Sequence, residues 1–361
     1  MVEPAESQTS DFDFGRALLL AASTVVVIAG LRAAGPVLIP FLFAFFLALL
    51  GFPLVQWFRD RGVRVSLAIA VTVLLEFSAL SFLGYLITNT FSRFARAAPG
   101  YVAALLDKIK GLLAALQERG VVFSDWVSVD ALDPAAAVDL VGNIVGGTVK
   151  GLASFVAYFL LVLVILICAM FEVAGFPSKL QRIQGDPSLL DNFRTVMTDT
   201  QKYLGIKTLV SFATGVLVGL GVWLCDMPIP LFWAVSAFLL NYIPAIGSII
   251  AAIPAVLVAL VQQGAGTALL VGAGYLAVNF ILGNLIEPAL MGWRFRLSTL
   301  VVFLALMFWG WIWGPIGMVL SIPLTMILKI GLRRSEELRW IALLMEPASV
   351  RRPPGEVTGL S

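Results

Sequence analysis

Asn241-Tyr-Ile-Pro-Ala-Ile-Gly-Ser-Ile-Ile-Ala-Ala-Ile-Pro254 sits inside an apolar tract running from Ile229 to Val261. An uninterrupted membrane helix tolerates these residues poorly. An interior proline costs a helix roughly 3 kcal/mol and a glycine about 1. In hydrocarbon the freed backbone groups must also find partners, because no water supplies them. A break here therefore has to be built for a purpose or be held by neighbours.

Working outward, composition fixes the solvent. The chain has 361 residues, 60% hydrophobic and 13% charged. Soluble domains carry about 25% charged residues, so half that value points to lipid. A net charge of +2 argues for neither nucleic acid nor an acidic partner. Cys168 and Cys225 lie in apolar segments and suggest no disulfide framework. The chain has no histidine, which removes the commonest metal ligand and the usual proton shuttle. The tail Met1–Phe14 has four acids and no Lys or Arg, unlike a secretory signal. These features define an all-α polytopic integral membrane protein.

A crossing needs about 20 apolar residues. Eight segments qualify or come close: Ala17–Leu31, Val37–Phe58, Ser66–Thr90, Leu152–Phe171, Gly205–Leu224, Ile229–Val261, Gly266–Ile286 and Ser298–Ile330. The sixth and eighth hold 33 residues each. As straight helices they would be roughly 50 Å long, against a hydrocarbon core of about 30 Å. Both carry a Pro/Gly break near the middle, Pro244-Ala-Ile-Gly247 in one and Gly314-Pro315-Ile-Gly317 in the other. Each break is followed by an Ile-Pro pair, Ile253-Pro254 and Ile322-Pro323. The two tracts form a weak internal repeat. Paired interruptions of this kind are the best sequence pointer to a binding site between broken helices.

Charge sidedness bears on the breaks. With the N-terminus inside, the loops carrying Arg59, Arg61 and Arg64, and Lys179 through Lys207, fall inside as the positive-inside rule prefers. If both long tracts cross once, Arg294 and Arg296 land outside. If residues 229–261 and 298–330 are re-entrant hairpins, that pair moves inside. Both arrangements leave the C-terminus cytoplasmic, and the charges favour the hairpins.

The expected organisation is a cytoplasmic tail (1–16), three spans (17–92), an external insertion (93–150), a C-terminal core (151–331) and a cytoplasmic tail (332–361). Within the insertion, Val102, Leu105, Leu106, Ile109, Leu112, Leu113 and Leu116 recur at helical spacing. Asp133-Pro134 reads as a helix cap. A pair of amphipathic helices on the membrane surface or against the spans fits best, an oligomer contact or lid being the alternative. The stretch 176–207 reads as helical.

No enzyme constellation is present. A Ser/His/Asp triad has no histidine, and no GxxxxGK[ST] loop exists to bind a nucleotide phosphate. No cofactor or metal cluster is expected. The glycines of 215–221 and 264–274 read as close helix packing. What remains are polar groups at membrane depth, which default to a functional reading. Glu76 lies near the middle of its span. Asn241 opens the first break, beside Pro244 and Gly247, and Gly314, Pro315 and Gly317 form the second. Asn279, Asn284 and Glu287 lie on the segment between the tracts. Asn284 and Glu287 are three apart, so a continuing helix puts them on one side, while Pro288 disturbs the following turn. For each the bland alternative is structural: amides tying broken ends to neighbours, Glu287 pairing with Arg294 or Arg296, Glu76 protonated. Trp309, Trp311 and Trp313 read as packing or an interfacial belt.

Three blocks carry a resemblance: the opening stretch, Asn284-Leu-Ile-Glu-Pro-Ala-Leu-Met-Gly292, and Phe308-Trp-Gly-Trp-Ile-Trp-Gly-Pro-Ile-Gly317 with Ser321-Ile-Pro323. They resemble the signature blocks of the autoinducer-2 exporter (AI-2E) family of bacterial transporters, and the likeness extends over essentially the whole chain. The resemblance implies an eight-span inner-membrane secondary transporter with both termini cytoplasmic. It implies export of a small polar solute of the autoinducer-2 type, or alternatively Na+(Li+)/H+ antiport; on that alternative, Glu76 or Glu287 is the expected proton carrier in this sequence. Partners are then a polar solute or a monovalent cation and proton, the bilayer, and a homo-oligomer; nucleic acid is not among them. A non-transporting membrane scaffold is the reading from another class. The chain departs from the family pattern in Ser298-Thr299, where Ser-Pro or His-Pro is frequent, and in Asp226, where glycine is common.

Overall fold

The structure, a computed structural model, describes residues 14–118, 159–175, 187–244, 246–291, 297–334 and 338–346. Among these there are helices and no strands: α1 (Phe14–Ala33), α2 (Gly35–Asp60), α3 (Val65–Glu118), α4 (Phe159–Gly175), α5 (Pro187–Leu224), α6 (Pro230–Leu240), α7 (Gly247–Gln263), α8 (Ala265–Asn279), a π-helical turn (Phe280–Ile286), α9 (Glu287–Met291), α10 (Thr299–Arg334) and α11 (Arg339–Leu344). Leucines stand open on their outer faces, Leu224, Leu269 and Leu276 being 74%, 77% and 74% exposed. In water such faces would aggregate; in a bilayer they are the surface that lipid solvates. The protein is an all-α polytopic membrane protein.

Both long tracts fold back on themselves. In the first, α6 packs against α7, and the Gln263 amide donates to the Asp226 carbonyl at 2.7 Å. That bond ties the chain just beyond the end of the tract to a residue three positions before its start. In the second, Thr299–Arg334 is two helical arms that meet at Gly314, whose φ of 65° and ψ of −146° lie outside any helix. Trp309 Nε1 donates to Thr325 Oγ1 at 3.1 Å. Sixteen residues of straight helix would hold those groups about 24 Å apart, so the chain reverses at Gly314. The two arms also end together. Ser298 N–H donates to the Met345 carbonyl at 2.9 Å, and Lys329 and Arg333 pair with Glu346 at 3.2 and 3.4 Å.

The hairpins enter from opposite ends of the molecule. The base of the first is at Gln263 and the base of the second at Ser298; the 27-residue stretch Ala265–Met291 lies between them. That stretch is about 40 Å long, a full crossing. The two hairpins also use different parts of α5. Gly215 and Gly219, four apart, let α6 in so closely that a Cβ at either would lie 2.8 Å from the Ala234 carbonyl oxygen or 2.7 Å from its Cβ. Met197 and Leu204 instead pack with Trp309, Leu320 and Leu324 of the second hairpin and Phe46 and Leu49 of α2. A separate apolar core joins α2, α3 and α4 through Ala48, Ile69, Val162 and Leu166.

Three details refine the sequence reading. Beyond Thr90 the chain does not start a separate surface helix: α3 continues unbroken to Glu118. Its extension props the first hairpin, with Phe94 stacked on Phe232 at 4.1 Å and Lys108 Nζ donating to the Leu260 carbonyl at 2.7 Å. Second, α1 passes into α2 through a bend, since Ala34 stays right-handed helical and Leu38 N–H still bonds the Ala34 carbonyl. Third, both departures from the family pattern have a physical reading. Asp226 has φ 52°, a left-handed position where glycine is free and aspartate is among the tolerated residues. Ser298 Oγ accepts the Val301 N–H at 3.3 Å, so serine caps the arm that follows. The cap at Asp133-Pro134, most of the insertion, the stretch 176–186 and the pair Arg294 and Arg296 lie outside the described residues.

Candidate functional site

The tip of the first hairpin, the α8–α9 segment and α5 line an open cavity of about 800 Å³. Aliphatic residues of α7 form one wall, the α8–α9 segment forms another, and Ile322 reaches it from the second hairpin. Its polar lining is Lys207, Asn241, Ser248, Tyr275, Asn279, Asn284 and Glu287. An apolar chamber with a few convergent polar groups is the usual form of a small-molecule site.

Each polar group has a local cause. On α5, Thr200, Tyr203, Lys207, Ser211 and Thr214 recur at three- and four-residue steps, and all five are buried. They form one polar stripe on an otherwise apolar helix. The tip of the first hairpin docks on that stripe: Asn241 Nδ2 donates to Ser211 Oγ at 3.0 Å, and the Tyr242 hydroxyl donates to Thr208 Oγ1 at 2.9 Å. On the other side, Pro288 shapes the chain. It has no N–H, and its ring would strike the carbonyl four residues back, that of Asn284. The preceding turn widens accordingly into the π-helix of residues 280–286, and Glu287 N–H reaches back five residues to the Leu282 carbonyl. The disturbance thus falls before the proline rather than after it. Asn279, Asn284 and Glu287 all still face the cavity.

The cavity closes on an ion pair. Lys207 Nζ donates to both carboxylate oxygens of Glu287, at 3.0 Å each, and the two side chains are 7% and 16% exposed. This is not the exposed loop pair expected with Arg294 or Arg296. Its partner comes from a different helix, eighty positions away, inside the bundle. The site is therefore close to neutral overall. The ammonium has a proton left to donate, the carboxylate has lone pairs left to accept, and the amides do both. The Tyr275 hydroxyl, also in the lining, is buried without a hydrogen-bond partner. Such a set suits an uncharged solute rich in hydroxyl and carbonyl groups.

The remaining candidates from the sequence lie elsewhere. Pro244 lines the cavity, but Gly247 only lets the hairpin close, since a Cβ there would collide with the Leu240 carbonyl. Gly314, Pro315 and Gly317 belong to the tip of the second hairpin. There Gly317 lies under the Trp309 carbonyl, and Trp313 Nε1 donates to the Leu31 carbonyl at 3.0 Å. Trp309 and Trp313 are buried packing residues; Trp311 is exposed, with Arg32 over its ring. Glu76 sits among α2, α3 and α4, outside the cavity lining. Sequence reasoning did not single out Lys207, Ser248 or Tyr275 as site residues. Lys207 was counted as a loop charge, although the spacing of the polar stripe on α5 carries it into the bundle.

A family model, that of the AI-2E family transporter, matches residues 21–336. The chain belongs to this family of membrane transporters. It is 36% identical over 326 residues to the AI-2 transport protein TqsA of Escherichia coli (strain K12), covering 89% of this chain and 92% of that one. "Putative transport protein YhhT" of the same strain is 35% identical over 343 residues, 95% of this chain and 96% of its own. A protein of Haemophilus influenzae likewise named for transport is 36% identical over 346 residues, 93% and 97% of the two chains.

Proposed function

We propose that this protein is a secondary transporter that exports a small, uncharged, hydroxyl-bearing solute of the autoinducer-2 type across the bacterial inner membrane. The cavity carries this reading, because its polar groups can each exchange hydrogen bonds with such a solute. The relative named for AI-2 transport supports the solute class. In the proposed orientation both termini are cytoplasmic, with Arg59, Arg61, Arg64 and the base of the second hairpin on the cytoplasmic side. Hairpins entering from opposite ends suit alternating access: movement of one tip against the α8–α9 segment opens the cavity to one face at a time.

Cation antiport at Glu287 fits less well. A sodium or lithium ion would have to take the place of the Lys207 ammonium, which already neutralises both carboxylate oxygens. A scaffold would have no use for a polar chamber at membrane depth, where unpaired polar groups are costly.

The test is counterflow uptake by purified protein in liposomes, using autoinducer-2 and small polyols. Asn279→Leu and Asn284→Leu remove amides that only the cavity uses. Uptake should fall by about tenfold or more, the worth of one or two hydrogen bonds to a solute, while the detergent melting temperature stays near that of the parent. Parent-level uptake by the double variant would remove the cavity from the transport path.

A further inference from the structure

Glu76 is the buried acid that the cavity leaves unused. It stands eleven residues into α3, about 16 Å from the helix start and so near the middle of a hydrocarbon core about 30 Å thick. Both of its carboxyl oxygens are buried, and neither has a hydrogen-bond partner among the described residues. The carboxyl lies against the bare Cα of Gly51 on α2, where a side chain's Cβ would collide with its Oε1. A Cβ at Gly51 would also lie 2.8 Å from Met170 Cε of α4, which closes the other side. The chain thus leaves a carboxyl-sized space between three helices and lines it with a glycine and a thioether.

Among the described residues, nothing in the surroundings neutralises a charge. On α2 the nearest ionisable groups are Arg59 and Asp60 at the helix end, eight and nine positions beyond Gly51. On α4 Cys168 and Glu172 lie two positions either side of Met170, which turns them to other faces, and both are exposed. On α3 no other acid or base lies between Arg64 and Tyr85, and Tyr85 is exposed. An acid placed at this depth with no partner among the described residues is a costly feature that defaults to a functional reading.

We propose that Glu76 is a proton-binding site, separate from the solute cavity, whose occupancy is linked to the packing of α2 on α3. With the proton bound, α2 closes over the carboxyl at Gly51. When the proton leaves to water, the carboxylate must be hydrated, and the close approach at Gly51 is lost. Leu49 and Phe46, on the same helix, pack against Trp309 and Leu324 of the second hairpin. Proton release is therefore transmitted to the hairpin that faces the cavity from the opposite end.

The test uses the full-length protein in liposomes and dicyclohexylcarbodiimide, a lipid-soluble reagent that modifies protonated carboxyls within membranes. Peptide mass spectrometry should find the adduct on Glu76, absent in Glu76→Gln. Its rate should be at least about tenfold higher near pH 5 than near pH 9, the change expected of an acid that exchanges its proton in that window. Gly51→Ala should slow labelling at the lower pH, because the added methyl displaces the carboxyl from its space. No adduct at either pH, with the Glu76 peptide recovered, overturns the proposal. So does labelling that does not vary with pH, since a carboxyl that never releases its proton carries none. None of these outcomes depends on the identity of the transported solute.

Discussion

The two hairpins use the same sequence device and arrive at different chemistry. Each is an apolar tract broken by proline and glycine, and each returns to the end from which it came. At the tip of the first, several residues turn the chain and their polar atoms face α5. Asn241 and Tyr242 bond to Ser211 and Thr208, and a polar chamber remains beside them. At the second, the reversal takes one residue, Gly314. Its flanks close with indoles, and both buried tryptophans use their N–H within the packing, on Thr325 and on Leu31. The neighbour decides the outcome. The first tip meets the polar stripe of α5, and the second meets Phe46 and Leu49 of α2. A Pro/Gly break establishes a reversal; a site also needs a polar surface for the tip to face.

The largest effect expected is all-or-none and concerns opposite entry. In a variant with Cys168 and Cys225 replaced by alanine, Gln263→Cys should react with an impermeant thiol reagent added outside intact cells. Phe295→Cys, just before the second hairpin, should react only after the membrane is opened. Labelling of both from one side would break the inverted relation between the hairpins.

Next comes the ion pair that only the first hairpin's cavity has. Removing one partner leaves a buried charge alone, which costs about 3–5 kcal/mol. Lys207→Met should therefore lower the detergent unfolding temperature markedly. Glu287→Gln should do so too, because Lys207 then loses its charge partner. The double variant Lys207→Met/Glu287→Met should regain most of the stability and none of the transport. A double variant that transports like the parent would leave the pair as packing alone.

The smallest effect tests the second tip. Trp309→Phe deletes the hydrogen bond to Thr325, worth about 1 kcal/mol, and should leave counterflow uptake at the parent level. A loss of uptake without a loss of stability would make the indole a contact of the transport path and erase the contrast between the two tips.

The membrane class, the break in both tracts and four of the cavity's polar side chains, Asn241, Asn279, Asn284 and Glu287, were legible in the sequence; the charges favoured reversal at those breaks without deciding it against a single crossing. They are legible because the cost of proline, glycine and polar groups in hydrocarbon is local. A residue's own type and its place in an apolar tract announce it. Lys207, Ser248 and Tyr275 were not read out; a lysine near a span's end looks like a loop charge until the helix is known to begin at Pro187. The length of α3 was also misread. Its amphipathic part seemed a separate surface element because the charges after Thr90 suit water, yet nothing between Arg93 and Glu118 stops the helix. Pro99 is accommodated within it.

The sequence by itself determined that this chain lives in lipid, that two of its tracts cannot run straight, and that its acids and amides at membrane depth demand an account. Those conclusions rest on free energies of single residues in hydrocarbon, which need no partner to be stated. Only the tertiary structure decided which break opens on a polar cavity and which is sealed, that Glu287 pairs with a lysine eighty positions away, and that Glu76 stands alone against Gly51. Those outcomes depend on which helix lies opposite. A hydrogen bond or an ion pair gains its worth from a second group, and the distance between the two groups is set by the fold.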